Sequence, residues 1–327
     1  MSRIFVDDRL RGQHGIGRYS QEVLRRLDIA WTALDLGGKP SRPLDAVRTL
    51  PREVRTGVVY STGYGALLQA PRQVLTIHDL IHLQTGWPAR ALHRVYYGGP
   101  VRHQVRKCGV VVTVSETSAE AIRAWVRDDS VRVVNAGIGC SATFTQDGPI
   151  SACVEPYFLY VGSMRPHKNL DVVLRALAAR PRPLLRAVLP PADHERARQR
   201  AAELGVSSRL ELLHSMDDNL LAALYRGAVA TLMPSRIEGF GLPPLESIRC
   251  GTPVIYWNGC RPVAETVGDR GWAVGSADDP EEWAVAIESA MSSARRVDAP
   301  SGAEYSWDRT AAIVTHALLE LTEARHG

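Results

Sequence analysis

The sequence predicts an α/β protein of two domains, each a doubly wound, mostly parallel sheet. Three observations carry this. Short apolar runs alternate with helix-patterned segments along most of the chain. The alternation lapses once, near the middle, and then restarts. A length of 327 residues is long for one core and sufficient for two.

The first series of buried strands reads "RIFVDD", "VVYST", "QVLTIHD", "GVVVTVS" and "VRVVNAG". Helices fall between them, over 18–28 and 117–127 among others. A Thr/Gln/Asp/Gly/Pro stretch around Gly148-Pro149 has the composition of a linker. The second series is "YFLYVGS", "LLRAVLP", "RLELLH", "VATLMPS" and "TPVIYWN". Trp307, Ala311, Val314, Leu318 and Leu321 then alternate at four and three, the spacing of an amphipathic helix. The expected organisation is a first domain over 1–148, a second over 149–304, and a helix over 305–327 crossing back to the first. No internal repeat is visible.

Composition narrows the class. No run of eighteen apolar residues exists, which excludes a spanning helix. "MSRIFVDD" enters a strand pattern at once, without the pattern of a signal peptide. Cys108, Cys140, Cys153, Cys250 and Cys260 are odd in number, and no two have metal-ligand spacing. The expectation is a reduced, cytoplasmic protein without structural zinc. The formal charge of +4 is too small and too dispersed for nucleic-acid binding. Of 39 basic residues only Lys39, Lys107 and Lys168 are lysines, so each lysine draws scrutiny.

Ligands of doubly wound sheets bind beyond the carboxyl ends of the strands. The polar residues expected there are Asp7-Asp8, Ser61-Thr62, His78-Asp79 and Ser115-Glu116 in the first domain. In the second they are Gly162-Ser163, His214-Ser215 and Pro234-Ser235. "YVGSMRPHKNLDVVLRAL" runs strand, loop, helix, with Arg165 and Lys168 just before a helix start near Asn169. Two cations beside a helix N-terminus make an anion site, and two separate charges suit a diphosphate.

"VATLMPSRIEGFGLPPLESIRCGTPVI" reads strand, loop, helix, turn, strand. Pro243 and Pro244 suit a helix's first turn, which puts Glu246 on the helix and Glu238 in the loop before it. Gly239 and Gly241 let the backbone approach a ligand. A glycosidase pair flanks one bond with its carboxyls about 5–10 Å apart. One loop carboxylate and one helix carboxylate instead suit neighbouring hydroxyls of one extended ligand.

"GIGRYSQEVLRRL", "IHDLIHL", "VTVSETSAEAI", "YVGSMRPHKNL" and "PSRIEGFGLPPLESIRCGTPVI" occur in the order seen in retaining glycosyltransferases of family 4, and the chain resembles that family over nearly its whole length. The last two motifs are the specific ones. The resemblance implies the GT-B architecture: two facing Rossmann-like domains, a cleft between them and a C-terminal helix. It implies that Glu246 holds the nucleotide ribose, that Glu238 lies at the donor sugar, and that Arg165 and Lys168 grip the diphosphate. Gly162 and Ser163 line the same site, and Gly239, Phe240, Gly241 and Leu242 give backbone contacts to sugar and phosphate. Gly15 and Gly17 approach the phosphates from the other domain, and His78 borders the sugar. Arg165, Lys168, Glu238 and His78 form the implied catalytic set. The implied reaction moves a sugar from a GDP-mannose-like or UDP-sugar donor to a hydroxyl of a glycan, lipid-linked or natural-product acceptor.

Departures are few. "VVNAGIG", residues 133–139, lacks the acid that ends the Pro-Asn-Gly-Val-Asp of many relatives. Little lies between Gly37 and Val58, so an open acceptor side is expected. Asp7-Asp8 and Asp217-Asp218 read as strand-end or turn acids, leaving no metal site and no cofactor besides the co-substrate. "GIGRYS" approximates a dinucleotide fingerprint with Asp35 downstream, but "RLRGQH" separates it from the strand, against a dehydrogenase. An epimerase or hydrolase of the same fold is the nearer alternative. Arg94, Arg102, Arg106 and Lys107 in the basic segment 90–107 suggest either a solvated face or peripheral docking on anionic lipid or a phosphate-bearing acceptor.

Overall fold

Two parallel sheets of six strands organise the chain. The computed structural model describes residues 3–10, 12, 15–38, 43–84, 90–151, 153, 155–180, 183–214, 216–293 and 295–323. Lys39 and Ser215, named above, lie outside the described residues. The chain divides into two compact units, one of Met1–Gly139 with Ala303–Gly327, the other of Cys140–Gly302.

In the first unit the strands are β1 (Ile4–Asp7), β2 (Trp31–Ala33), β3 (Val58–Ser61), β4 (Arg72–Thr76), β5 (Val110–Thr113) and β6 (Arg132–Asn135). Their order is β2-β1-β3-β4-β5-β6, all parallel. The central runs are near-continuous apolar, as strands covered on both faces require: Val58, Val59 and Tyr60 of β3 are fully buried. β1 sits in register with β3, Ile4 opposite Val58 and Asp7 opposite Ser61. The helix expected over 18–28 runs from Gly15 to Leu24. Its last turn tightens, with Arg26 N–H on the Val23 carbonyl, and the chain leaves. The helix expected over 117–127 is Glu116–Val126, capped by the Ser115 side chain.

In the second unit the strands are β7 (Tyr157–Val161), β8 (Leu184–Val188), β9 (Leu210–Leu213), β10 (Thr231–Met233), β11 (Val254–Trp257) and β12 (Gly271–Val274). Read from β9, the order is β9-β8-β7-β10-β11-β12, the dinucleotide-type doubly wound order. Phe158, Leu159, Leu185, Ala187, Leu232 and Ile255 are fully buried on these strands. Strand order reverses between β7 and β10, and in the first unit between β1 and β3, while all strands stay parallel.

The chain passes between the units at Gly139-Cys140, upstream of the Gly148-Pro149 stretch. That stretch is tied down rather than free. Arg226 donates to the carbonyls of Pro149 and Thr145, and the Phe144 ring meets Tyr225 edge-on. A buried arginine far along the sequence thus anchors a segment whose local composition reads as linker.

The helix Trp307–Glu323 packs on the first unit. Trp307, Ala311, Val314 and Leu318 are buried, as their spacing predicts. Arg26 pairs with Asp308 at 2.9 Å, and Arg72 donates to the Leu321 carbonyl. Trp307 lies against Gly139, where an added Cβ would fall 2.4 Å from the indole Cγ and 2.5 Å from the Trp307 nitrogen. Backbone cannot yield as a flexible side chain can, so Gly139→Ala is expected to cost about 1–3 kcal/mol. A thermal melt in which this variant matches the parent would contradict that packing.

Candidate functional site

The loops that leave β7 and β10 emerge side by side, because those strands are neighbours at the reversal point of the second sheet. β7 ends at Val161 and continues through Gly162-Ser163-Met164 to a 3-10 turn over Pro166–Lys168. Gly162 has a packing reason to be glycine: a Cβ there would meet the Tyr160 hydroxyl at 2.7 Å. Tyr160 O–H in turn donates to the Ser163 carbonyl at 2.9 Å, and Met164 N–H donates to Asp193 at 2.9 Å.

Asn169 adopts a left-handed conformation (φ 53°), one that asparagine tolerates better than most residues. The helix Leu170–Ala178 therefore starts abruptly, one residue after the expected position. Asn169 Nδ2 donates to the Ala277 carbonyl at 2.7 Å. Arg236, on the β10 loop, donates to the Pro166 carbonyl at 2.7 Å and pairs with Asp278, while its own N–H meets the His167 carbonyl. Three segments are thereby locked around Lys168.

Lys168 Nζ donates to both oxygens of Glu238, at 2.6 and 2.8 Å. The two side chains are 21% and 9% exposed, so the pair is largely shielded from water. The Tyr160 phenol is raised by burial and then by the Glu238 charge. Burial and Lys168 hold His167 below its ordinary value. The Cys260 thiol is pushed up to about 12, chiefly by burial and then by Glu238, which keeps it protonated and inert. Ser235, at the end of β10, is 1% exposed, and its hydroxyl has no hydrogen-bond partner among the described residues.

Between the two glutamates the chain passes Gly239, Phe240 and Gly241. Gly241 takes a positive φ of 94° just before the helix Leu242–Arg249, whose first turn holds Pro243 and Pro244 as the sequence predicts. Glu246 is buried on this helix, where it accepts from Tyr225 O–H at 3.0 Å. The Tyr225 phenol is raised well above its ordinary value by burial and then by Glu246. Ser247 fixes the same turn from below, donating to the Thr252 carbonyl at 2.8 Å and meeting Thr231 of β10 at 2.7 Å. The two carboxylates therefore take different partners, a lysine for one and a phenol for the other.

In the first unit, Gly15 opens its helix with a positive φ of 57°, and a Cβ there would meet nothing within 4 Å. Gly17 is buried two residues on. His78 follows β4 and is buried; its Nε2 lies 3.0 Å from the Thr62 carbonyl. A carbonyl only accepts, so the proton sits on Nε2 and Nδ1 keeps its lone pair. Tyr19 meets the ring edge-on at 4.7 Å. Burial lowers His78 from 6.5 to about 4, so the ring is neutral at neutral pH. Asp7 is committed elsewhere: Arg9 bridges it, at 2.7 Å, to Asp45 at 2.9 Å. Asp217 caps the helix Asp218–Gly227. Among the described residues no three His, Cys, Asp or Glu side chains group as metal ligands.

Residues 152–304 match the family model described as Glycosyl transferases group 1. The chain is 29% identical over 219 residues to the O-antigen chain mannosyltransferase RfbU of Salmonella typhimurium, covering 66% of this chain and 60% of that one. It is 30% identical over 273 residues to a D-inositol 3-phosphate glycosyltransferase of Mycobacterium avium, covering 78% and 59%. It thus spans less than two thirds of the length of these curated relatives. The Anabaena protein Alr3699/HepE, solved in complex with UDP, superposes with a TM-score of 0.64 at 15% identity, covering 99% of this chain and 98% of that one. The fold is GT-B. The match to the family model spans both the β7 and the β10 loops.

Sequence reasoning missed Tyr225, Arg236, Ser247 and Asp278, which hold the named residues in place. Only Arg236 and Ser247 lie inside a motif already singled out, and neither residue type signals its partner.

His78 also makes stability depend on pH. Its folded pKa of about 4 lies below the ordinary 6.5, so its contribution is complete above 6.5 and is lost as pH falls toward 4. The loss approaches about 1.4 kcal/mol per pH unit in that window. Melting temperatures between pH 7 and 4.5 should fall less steeply for His78→Gln than for the parent. Parallel slopes would contradict the buried neutral imidazole.

Proposed function

We propose that the protein is a retaining glycosyltransferase, moving a hexosyl group from a nucleotide-diphosphate sugar to an acceptor hydroxyl. The observation that carries the reading is the shielded Lys168–Glu238 pair beside a helix N-terminus at the reversal point of the second sheet. The match to Glycosyl transferases group 1 and the named relatives support it, and the UDP of the Anabaena protein supports a nucleotide donor. The donor is GDP-mannose-like or a UDP-sugar.

In this reading the diphosphate enters against Lys168, Arg165 and the N–H groups that open the helix Leu170–Ala178. Its negative charge competes with Glu238 for the lysine. Glu238, once released, is an acceptor for the sugar's hydroxyls, and Glu246 is one for the ribose. Tyr225 and Ser247 hold Glu246 and its helix turn in place. In the reaction the bond from anomeric carbon to phosphate oxygen breaks and a bond to the acceptor oxygen forms. The acceptor's proton passes to the leaving phosphate, whose growing charge Lys168 and Arg165 stabilise.

No helix among the described residues is long and apolar enough to cross a membrane, and the reading places the enzyme in the cytoplasm. It also needs no divalent ion, since the cations at the diphosphate are side chains. Turnover is expected to persist in excess EDTA. An absolute dependence on added Mg²⁺ or Mn²⁺ would count against this assignment of Arg165 and Lys168.

The glutamates separate by ligand. Glu246→Ala should weaken nucleoside diphosphate and intact donor alike, by roughly ten- to hundred-fold for a charge-assisted hydrogen bond. Glu238→Gln frees Lys168, so diphosphate binding should hold or tighten while transfer falls. Calorimetric titration with UDP and GDP, beside initial rates with full donor, checks both. If both variants bind diphosphate as the parent does and lose turnover together, the pair works as acid and base, and an epimerase or hydrolase replaces the transferase.

A further inference from the structure

In the first unit the helices Arg90–Tyr96 and Arg102–Cys108 are joined through a π-helical turn, Tyr97–Val101. Beside it lies a groove of about 760 Å³, lined by Leu68, Gly98-Gly99-Pro100 and the basic side chains Arg102, His103, Arg106 and Lys107. The spacing 102, 103, 106, 107 puts those four on one helix face, while Val101, Gln104, Val105 and Cys108 are buried on the other.

The charges are tethered, not neutralised. Lys107 Nζ donates to the Ala70 carbonyl at 2.9 Å, and Arg106 to the Val126 carbonyl at 2.6 and 3.1 Å. The Arg102 guanidinium carbon stands 5.1 Å from the Trp125 ring centre, and its Nε is buried without a hydrogen-bond partner among the described residues. Burial, then Arg106 and Arg127, hold Arg102 below its ordinary value. Asp128 stands 3.9 Å from Arg106. The closer partners of Arg106 and Lys107 are neutral carbonyls.

The glycines add an independent observation. Gly98 and Gly99 have no positive φ, and a Cβ at either would meet nothing within 4 Å. Neither backbone conformation nor packing asks for glycine there, although each costs about 1 kcal/mol in a helix relative to alanine. Bare backbone facing a groove lets a ligand come close, and π turns recur at functional positions.

Sheet polarity sets this groove apart from the strand ends that carry Thr62 and His78. Leu68 and Ala70 precede β4, and Lys107 precedes β5, so this end of the groove lies at the amino edge of the sheet.

We propose that the groove is a second ligand site, for a phosphoryl anion, held by Arg102, His103, Arg106 and Lys107 against the exposed Gly98-Gly99 backbone. Arginine forks match phosphate oxygens two at a time, and three cations within two turns, with His103 as a further hydrogen-bonding group, exceed what one carboxylate needs. The phosphoryl group comes from a soluble phosphate ester or from an anionic lipid headgroup. The proposal goes beyond the donor site and does not rest on it.

The test reads the two sites separately. Inorganic pyrophosphate is titrated into the full chain while amide resonances of Gly98 and Gly99 report the groove and those of Gly162 and Gly239 the second unit. Saturable shifts at Gly98 and Gly99 are expected, weakened about ten-fold in Arg102→Ala. Gly99→Leu fills the groove without meeting protein atoms at its Cβ, so it should keep the fold and lose the same binding. It carries the test if Arg102→Ala fails to fold. Flotation with phosphatidylglycerol vesicles, against phosphatidylcholine alone, separates the sources. Vesicle binding lost in both variants assigns the lipid headgroup; pyrophosphate binding without vesicle binding assigns a soluble ester. Absent shifts at Gly98 and Gly99, or unchanged affinity in folded Gly99→Leu, would overturn the site whatever happens at Gly162 and Gly239.

Discussion

The reversal of strand order between β7 and β10 is the constraint on which the second unit's site depends. Strands on either side of that point send their connections in opposite directions, so the two loops emerge without a helix crossing between them. Loops with no common cover must be held by their own contacts. Lys168 and Glu238 supply one, across 70 positions of sequence, and the Arg236–Asp278 pair with the Pro166 and His167 carbonyls supplies another. The topology makes the crevice, and these polar contacts give it a definite shape.

A shielded ion pair is a poor device for stability alone, because desolvation offsets most of the attraction. Under the proposed function its value is readiness: an incoming diphosphate would replace Glu238 at Lys168, and Glu238 would be released to the sugar. Glu246 contrasts with this. Its phenol partner is neutral and buried, and Ser247 pins the adjoining residue to β10 and to the turn before β11. In the proposed reaction one glutamate changes partners and the other stays, as suits a ligand whose sugar is transferred and whose ribose is not.

Much of this was legible because its signals are local. Strand ends fall where apolar runs meet Gly162, His78 and Pro234. The double proline at 243 and 244 marks the helix start that turns Glu246 into the protein. Trp307 to Leu318 carry a heptad-like pattern that tertiary packing uses as written. What was not legible depends on distant partners. Gly148-Pro149 has linker composition, yet Arg226 ties Pro149 and Thr145 down, and nothing around Arg226 announces that task. Tyr225 sits in an ordinary amphipathic helix, and only the fold brings its hydroxyl under Glu246. The Lys168–Glu238 pair is the instructive case. The motifs named both residues, each for its own ligand contact, and the structure shows that they also bond each other.

The polarity of the first sheet extends the same reasoning to its other edge. Parallel strands place all their carboxyl ends on one side, which gathers the chemistry there and leaves the amino edge to helix ends and returning loops. Helix carboxyl ends carry a partial negative charge and exposed carbonyls, and cations normally meet them. Arg106 does this at the end of Glu116–Val126, and Lys107 ties down a loop carbonyl, that of Ala70. Those roles account for two of the four basic groups in the groove. Among the described residues Arg102 and His103 cap no helix, and the glycine pair has neither the positive φ nor the close packing that would require it. Helix and loop carbonyls therefore account for Arg106 and Lys107 and Trp125 for one face of Arg102, which leaves His103 and the bare glycine backbone to the proposed ligand.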